Sequence, residues 1–492
     1  MSVVLVFCLA FALVYFLVRW YRIFLCGLRL PGPWALPPFG NVQFIATLKP
    51  EKLFRTVHQY RERFGASFRL WLGPQLWVFL HTPQETRDAL NDATLERADT
   101  FRLLNVFIGN GLLISEGKHW ELHRKALGPA FHPNILNGFT KTIIQHVDIL
   151  LGRFEKLNEK PVEVTDYLFS CLFDTIIDTS MGKNLQTQED SNSNYSHAFH
   201  RIGELLYERM VNPLLAPDFI YNKTKRSKDL YNYVAIVHNL MDTVIKERQE
   251  YLQQEDNLNE LSIKKPRCLL DTLLTATIEG KPLSLKEIRD EVNTFILAGV
   301  DTTMAAMSFI LYSLGKYPQE QQKLFEEIQI AREESQDLFP NSSDLNKLEY
   351  LDMFIKECLR FYTIVPMTGR QTTKPTKIGG RSYPKGVSLW INMYGLSHDS
   401  RLFEKPFHFR PLRFVRSEYQ RLEKFSYIPF SGGSHVCIGR KYSLQIMKIM
   451  CVRLLQQYEV VLRDPEEELI LMSQMTLKSK NGINLKFIKR IR

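Results

Sequence analysis

The chain has 492 residues, 45% of them hydrophobic and 12% aromatic, and 63 Lys and Arg against 53 Asp and Glu give it a formal net charge of +10. This composition allows one large domain or two smaller ones with a sizeable core, and it argues against a disordered protein. The basic residues are spread along the chain, which favours an anionic membrane or an acidic protein partner over nucleic acid. Seven cysteines without a C-x-x-C pair argue against a disulfide framework and indicate a reducing compartment.

The N-terminal segment is continuously apolar from Val3 to Val18 and stays largely aromatic beyond it. A stretch of this length predicts a helix that spans a bilayer. Basic residues follow it, and the positive-inside rule therefore places the rest of the chain in the cytosol. A cleaved signal peptide is the alternative, although the sequence has neither a basic n-region nor a small-residue cleavage site. We predict a membrane anchor over residues 1–26; the basic residues are Arg19, Arg22 and Arg29.

Residues 27–42 are rich in proline, which occurs at positions 31, 33, 37 and 38. Because proline breaks helices and favours extended backbone, we predict a hinge here, between the anchor and a globular body over residues 43–492. Residues 66–81 then predict a strand, a turn at Gly73 and Pro74, and a second strand.

The rest of the chain has mainly helical periodicity, with short strand-like segments near 376–393 and at the C-terminus. The predicted fold class is therefore mainly α with a small β region. The predicted helices span 117–130, 138–156, 164–181, 196–212, 227–252, 284–316, 318–335 and 347–362.

The helix over 284–316 begins at a capping box formed by Ser284 and Glu287 and ends before Pro318. Its apolar centre is interrupted by the sequence Ala298-Gly299-Val300-Asp301-Thr302-Thr303. A mid-helix Gly costs about 1 kcal/mol relative to Ala, and unpaired Asp and Thr in an apolar environment cost more. This interruption predicts either a tolerated kink or a functional site.

Two further segments stand out, one for its charged residues and the other for a cysteine. Glu357 and Arg360 share a helix face, and Arg413 would complete a three-member charge network, although an isolated E-x-x-R pair is commonly solvated. Cys437 lies in a glycine-rich loop just before a helical pattern, where backbone N–H groups and the helix N-terminus would stabilise a thiolate. A buried structural cysteine is the alternative.

The spacing F-x-x-G-x-x-x-C-x-G over residues 430–439 resembles the haem-binding loop of the cytochrome P450 family. The E-x-x-R pair and Phe409-Arg410-Pro411-Leu412-Arg413-Phe414 precede it in the family's order, and residues 298–303 are similar to the family's A-G-x-D-T-T signature. Trp120 and Arg124 match its W-x-x-x-R helix. The resemblance covers essentially the whole chain and implies the cytochrome P450 fold with an N-terminal transmembrane helix.

The resemblance also implies the cofactor and its ligands. It implies haem b with Cys437 as the iron ligand, Asp301 and Thr302 as the proton-delivering catalytic pair, and a structural network of Glu357, Arg360 and Arg413. The residues implied in haem binding are Trp120, Arg124, Arg370, Phe430, Gly433, His435 and Gly439.

Two departures from the family pattern bear on the haem. His435 stands where the family usually has a propionate-binding Arg, so we expect weaker or pH-sensitive haem retention. Residues 120–131 resemble the fatty-acid ω-hydroxylase branch and its insect relatives, many of which attach haem through a Glu directly before the helix Gly. Ala298 occupies that position here, which implies non-covalent haem.

The implied function is a monooxygenase that hydroxylates an apolar substrate, such as a fatty acid, a hormone-like lipid or a xenobiotic, with O2 and two electrons from NADPH. The sequence has no dinucleotide- or flavin-binding motif, so the implied electron donor is NADPH-cytochrome P450 reductase, with cytochrome b5 as an optional second donor. The expected location is the endoplasmic reticulum membrane, with the catalytic domain facing the cytosol and no nucleic-acid partner. The basic residues expected at the reductase-docking face are Lys125, Lys424, Arg440 and Lys441.

Two other classes stay open: a haem-thiolate isomerase or dehydratase that needs no electrons, and a non-catalytic haem-binding membrane protein. Asp301 and Thr302 argue against both, since neither class needs proton delivery to O2. The expected substrate contacts are Phe101, Phe107, Leu205, Leu206, Ile296 and Met475.

Overall fold

Helices form most of the chain, and the strands are short. A computed structural model describes residues 2–36, 39–41, 50–65, 67–189, 194–212, 214–258, 268–335 and 339–490. Part of the predicted hinge, at Pro37, Pro38 and Val42, and the first residue of the predicted strand pair, Ala66, lie outside the described residues.

The α-helices are α1 Ser2–Leu28, α2 Pro50–Phe64, α3 Pro83–Asn91, α4 Asn105–Ile108, α5 Gly117–Leu127, α6 Pro133–Gly138, α7 Thr140–Lys156, α8 Thr165–Met181, α9 Asn194–Val211, α10 Asp218–Tyr221, α11 Lys225–Leu258, α12 Leu269–Thr275, α13 Leu285–Lys316, α14 Pro318–Glu333, α15 Ser342–Lys347, α16 Glu349–Tyr362, α17 Met393–Ser397, α18 Arg416–Tyr419 and α19 Arg440–Gln457. The strands are β1 Phe68–Leu72, β2 Gln75–Leu80, β3 Leu95–Arg97, β4 Val162–Glu163, β5 Thr277–Ile278, β6 Lys281–Pro282, β7 Met367–Thr372, β8 Thr376–Ile378, β9 Arg381–Tyr383, β10 Ser388–Asn392, β11 Tyr458–Leu462, β12 Leu471–Ser473, β13 Leu477–Ser479 and β14 Asn484–Lys489. The predicted fold class, mainly α with a small β region, is confirmed.

Helix α13 crosses the centre of the main core. It begins at the predicted capping box, where the Ser284 hydroxyl accepts from the Glu287 N–H and the Glu287 carboxylate accepts from the Ser284 N–H. Apolar residues on several sides of the helix are buried, so it packs against neighbours all round rather than along one stripe. The helix therefore supplies a rigid, buried support for whatever side chains it presents to a cavity.

The largest sheet joins chain segments that are far apart in sequence. Its strand order is β1-β2-β10-β7-β3, with β10 parallel to β2 and the other neighbours antiparallel. In the β3–β7 ladder Arg97 lies opposite Arg370. Like charges directly opposite each other destabilise a strand pair. We therefore expect an anionic group to bind near these two arginines.

The C-terminal end of α1 packs against the body. Ile23 and Leu30 are buried in a cluster with Trp71 and Leu76, while residues nearer the N-terminus, including Phe7 and Phe11, are exposed. The described part of the predicted hinge runs along β1, where the Arg69 N–H donates to Pro31 O at 2.8 Å. The segment after α1 is therefore hydrogen-bonded to the sheet.

Within the described part of the chain, α13 has the length and composition of a helix that could cross a membrane, but 78% of its apolar window is buried in the protein. That burial is typical of a core helix. The membrane-spanning role of α1 stays a prediction.

Candidate active site

A cavity beside α13 gathers most of the residues that the sequence singles out. It encloses about 1210 Å³ not filled by protein atoms, part of which opens to solvent. The predicted site residues that line it are Trp120, Arg124, Thr302, Arg370, Phe430, His435 and Cys437. Much of the remaining lining is apolar, as in sites that bind cofactors and drug-sized ligands.

The loop that carries Cys437 is held by its own backbone. The Cys437 N–H donates to Phe430 O at 3.0 Å, and α19 begins three residues after the cysteine. Gly433 has a φ of +67°, and a Cβ there would lie 2.1 Å from Leu90 O, so only glycine fits this turn. Gly433 thus shapes the loop rather than lining the cavity.

Cys437 presents its sulfur to the cavity. Its side chain is exposed and lines the cavity, and most of the surrounding loop is half-buried. Burial raises the pKa of the Cys437 thiol, and the Gly439 N–H and the guanidinium groups of Arg124 and Arg440 lower it only in part. The predicted stabilisation of a thiolate by the loop donors therefore opposes the effect of burial, and the charge of a bound metal ion would favour the thiolate further.

The guanidinium groups of Arg97, Arg124 and Arg370 line the cavity. Within the described residues, Glu116 is the carboxylate that pairs with Arg97. Burial, followed by the charge of Arg370, lowers the pKa of Arg97 to about 10, and burial lowers the pKa of Arg370 itself. Arg97 Nε lies 3.8 Å from a carboxylate oxygen of Glu116 and makes no hydrogen bond within the described residues. Arg124 donates to Val436 O at 3.2 Å.

His435 belongs to the same cluster. Its ring lies against Trp120 at a centroid distance of 4.0 Å and an interplanar angle of 39°, and its Nδ1 lies 3.4 Å from Arg97 Nη2. Burial, then the charges of Arg97, Arg370 and Arg124, lower the pKa of His435 to about 3, so the ring is neutral at physiological pH. Arg97 therefore provides the positive charge beside the position where the family has an arginine.

This arrangement fits haem. A flat apolar macrocycle with two carboxylates suits an apolar cavity whose rim holds three under-paired guanidinium groups, and Cys437 offers a sulfur ligand beside it. Charge-assisted hydrogen bonds to the carboxylates would relieve the repulsion between Arg97 and Arg370.

The two polar residues at the centre of α13 point in different directions. Thr302 lines the cavity and its hydroxyl donates to Ala298 O at 2.6 Å. Asp301 is buried beside a smaller cavity, accepts from Thr476 Oγ1 at 2.8 Å and lies 3.1 Å from Lys478 Nζ. The two predicted catalytic side chains therefore belong to separate pockets.

Gly299 and Ala298 also have separate roles. Ala298 lines the large cavity, as its small size suggests. A Cβ on Gly299 would lie 3.1 Å from Ile176 Cδ1 on α8, so Gly299 permits close helix packing rather than space in the cavity.

Glu357, Arg360 and Arg413 form one buried ion-pair network. Arg360 binds both oxygens of Glu357, at 2.7 and 2.9 Å, and Arg413 Nε lies 3.3 Å from Glu357 Oε1. Arg413 also donates to the backbone oxygens of Lys405 and His408 at 2.8 Å. The network therefore joins α16 to the loop that precedes the Cys437 segment.

The sequence interpretation missed several site residues. Arg97 is a single arginine at the end of a three-residue strand, and Thr476 and Lys478 meet Asp301 across the C-terminal segment, so no local pattern marks them. The expected substrate contacts stay a prediction: Met475 lines the smaller cavity. The lining of the large cavity includes Leu112, Leu113, Phe295, Ile364 and Val365. Phe101, Phe107, Leu205, Leu206 and Ile296 lie outside that lining.

Known proteins resemble the chain over nearly its full length. The family model described as Cytochrome P450 matches residues 30–487. Cytochrome P450 4d2 of Drosophila melanogaster is 32% identical over 93% of this chain and 93% of its own length. Cytochrome P450 4V2 of Homo sapiens is 32% identical over 94% of this chain and 90% of its own, and the Mus musculus protein of the same name is also 32% identical.

These relatives, from insects and mammals, match the branch that the sequence resembles. Membership brings haem b with a cysteine thiolate ligand, a redox partner and an apolar substrate. The chain therefore belongs to the cytochrome P450 family and is a haem-dependent monooxygenase.

Proposed function

We propose that this protein hydroxylates a fatty acid, a hormone-like lipid or a xenobiotic at the cavity beside α13, with electrons that NADPH-cytochrome P450 reductase supplies. The observation that carries this proposal is the convergence of Cys437, a cationic rim and Thr302 on one apolar cavity. Cytochrome b5 is the second donor that we propose for the same site.

In this proposal the chain binds haem both at its iron and at its propionates. Cys437 provides the iron ligand on a loop that Phe430, Gly433 and Gly439 shape. Trp120, Arg124, Arg370 and His435, joined by Arg97, bind the propionates. With no carboxylate at Ala298, the haem is held without a covalent bond to this helix. When bound, haem with a thiolate ligand supplies O2 activation and transfer of one oxygen atom into a C–H bond.

Proton delivery is the task that we assign to Asp301 and Thr302. Thr302 has its hydroxyl at the cavity wall, where the oxygen can accept from a reacting ligand and, once the O–H rotates away from Ala298 O, donate to it. Asp301 is paired with Lys478, whose side chain is 21% exposed, so the pair connects the interior of α13 to solvent. We assign proton uptake from outside to Asp301 and presentation of a proton in the cavity to Thr302, which is its neighbour on α13.

The apolar lining decides which substrates enter. Leu112 and Leu113 precede α5, Phe295 lies on α13, and Ile364 and Val365 precede β7. These side chains exclude water and position an apolar chain or ring by contact area rather than by hydrogen bonds. Long-chain lipids and hydrophobic xenobiotics both satisfy this requirement.

In this proposal, α1 anchors the protein in a membrane, and the surface around the Cys437 loop binds the reductase. Exposed apolar side chains on α1 and the arginines after them support an anchor in the endoplasmic reticulum membrane with the body in the cytosol. Lys125, Lys424, Arg440 and Lys441 are exposed around the Cys437 loop and suit an acidic docking surface.

Reductase-supported turnover tests the proposal directly. Microsomes that contain the full chain and the reductase would be incubated with NADPH and a mixed library of lipids and xenobiotics, and products would be identified by mass. We expect NADPH-dependent products that have gained one oxygen atom. Products that form equally without NADPH would identify an isomerase or dehydratase instead, and no product from any substrate class would contradict the proposal.

A further inference from the structure

Two histidines and a glutamate meet where α5 approaches the start of α13, away from the lining of the large cavity. His119 and His123 are one helical turn apart on α5, and Glu287 is in the first turn of α13. One ligand atom from each residue lies within 4.8 Å of the other two. Paired histidines at i and i+4 on one helix face are a recurrent way to hold a transition metal.

A buried carboxylate fixes the orientation of the His123 ring. His123 Nδ1 lies 2.8 Å from Glu291 Oε1, and the Glu291 side chain is fully buried. Since a carboxylate only accepts hydrogen bonds, Nδ1 is the donor in this contact, and Nε2 is the ring nitrogen left to bind a metal ion. A carboxylate behind a histidine in this way is the usual support of a metal-ligating imidazole.

Glu287 divides its two oxygens between separate partners. Oε2 accepts from the N–H and the hydroxyl of Ser284, at 2.8 and 2.6 Å. Oε1 lies 3.8 Å from His123 Nε2. This separation is close to the distance between two ligands that share an ion at bond lengths of about 2.0–2.2 Å.

We propose that His119, His123 and Glu287 form a zinc site that links α5 to the N-terminus of α13. Two imidazoles and a carboxylate are ligands that zinc accepts, and water completes the tetrahedron. Glu291 is a positioning residue, because it holds the His123 ring without contacting the ion.

The proposed ion would act on the haem-binding helix. Trp120 and Arg124, which line the large cavity, lie on the same helix as the two histidines. Zinc bound to α5 and α13 together would reduce opening of α5, because an ion that binds only the folded state stabilises that state. The oxygenation chemistry does not require this site.

Zinc content of the haem-loaded full chain tests the proposal. The protein would be stripped with a chelator, dialysed against zinc chloride, and analysed for zinc per haem by mass spectrometry. We expect wild type to retain one zinc ion more than His119→Ala and Glu287→Gln. Hydrogen exchange over residues 117–127 should slow on zinc addition in wild type and stay unchanged in both variants.

Matched controls separate this site from other surface ligands. His408→Ala removes an exposed histidine elsewhere, and Glu121→Gln removes an exposed carboxylate on α5 itself, so both should retain the wild-type zinc content. Glu287→Gln keeps a side-chain acceptor for the capping box. His119→Ala changes a side chain at the helix surface. We therefore expect at least one of the two variants to keep the wild-type fold. Equal zinc content in wild type and His119→Ala, or no zinc in wild type, would show that the cluster is an ordinary ion-pair group and would overturn the proposal.

Discussion

Cys437 is one of seven cysteines, and its position at the large cavity distinguishes it from the others. Cys437→Ala should abolish the red-shifted Soret band that carbon monoxide gives with reduced thiolate-ligated haem, because alanine offers no ligand. The measurement is the reduced carbon monoxide difference spectrum, together with product formation. Both should be lost.

Cys451→Ala is the matched control for that change. Cys451 is fully buried in the core, and burial raises the pKa of its thiol to about 12, so it behaves as a small apolar residue. Its removal should leave the thiolate spectrum intact at a small cost in stability. A wild-type spectrum typical of histidine-ligated haem would contradict the assignment of Cys437.

Thr302 and Thr303 are adjacent threonines in different environments. Thr302 lines the cavity, whereas Thr303 is buried outside it. Thr302→Ala should keep haem binding but lower product per NADPH by at least an order of magnitude, because a positioned proton donor contributes roughly 100- to 10,000-fold. Electrons would escape as peroxide.

Product and peroxide per NADPH, measured with a confirmed substrate, check this prediction. Thr303→Ala should leave both ratios close to wild type, since its hydroxyl does not reach the cavity. Equal coupling in wild type and Thr302→Ala would remove the support for proton delivery at this site.

The pairing of β3 with β7 places two arginines side by side, and it is the sheet rather than either local sequence that does so. Arg97→Met or Arg370→Met should accelerate haem loss roughly 10- to 100-fold, because a hydrogen bond to a charged group contributes about 1.5–3 kcal/mol. The measurement is transfer of haem to an excess of an acceptor apoprotein.

Arg87→Met is the control for the arginine substitutions, since Arg87 is 54% exposed and pairs with its neighbour Asp88. Haem loss from this variant should match wild type. If Arg97→Met also matches wild type, Arg97 does not bind a propionate, and His435 must replace the family arginine unaided.

The network beneath the cysteine loop predicts a larger effect on stability. Glu357→Gln leaves the fully buried Arg360 without its counter-charge, which typically costs about 3–5 kcal/mol. Glu418→Gln removes one partner of the exposed Arg410–Glu418 pair and should cost at most about 1 kcal/mol. Thermal unfolding of the two haem-loaded variants gives the comparison, and similar midpoints would contradict a supporting role for Glu357.

Local signals predicted the long helices well. The capping box at Ser284 and the proline at 318 fix both ends of α13, and the structure has it from Leu285 to Lys316. Other elements depend on distant partners: β3 is only three residues long and exists through its pairing with β7. The sequence therefore predicts helix boundaries and motif residues, whereas sheet register, and with it the place of Arg97, depends on tertiary contacts.

The same limit applies to the polar residues of α13. Their sequence predicts a functional interruption in an apolar helix, and both side chains are in fact paired. Adjacent helical residues point about 100° apart, so one faces the large cavity and the other faces Lys478. The partner could not be predicted, since Thr476 lies 175 residues further along the chain.

The structure divides α1 into two parts that should respond differently to truncation. Its first part exposes apolar side chains, whereas Ile23 is buried against the sheet and Trp20 and Phe24 stack at a centroid distance of 5.1 Å near Trp71. The first part is therefore the one to which we assign the proposed membrane anchor, and the second part packs against the protein body. The predicted boundary at residue 26 falls after the packed turn rather than before it.

Removing residues 2–18 should release the protein from alkali-washed microsomes while leaving its haem spectrum and thermal midpoint unchanged, because the packed turn remains. Removing residues 2–26 should release it equally but lower the free energy of unfolding by at least about 1.5–3 kcal/mol, the contribution expected from burying the Ile23 side chain alone. Membrane pelleting measures the first effect and thermal melting the second. Retention of the shorter deletion in the washed membrane would contradict an anchor in residues 2–18, and equal melting of both deletions would show that the turn around Ile23 adds no stability.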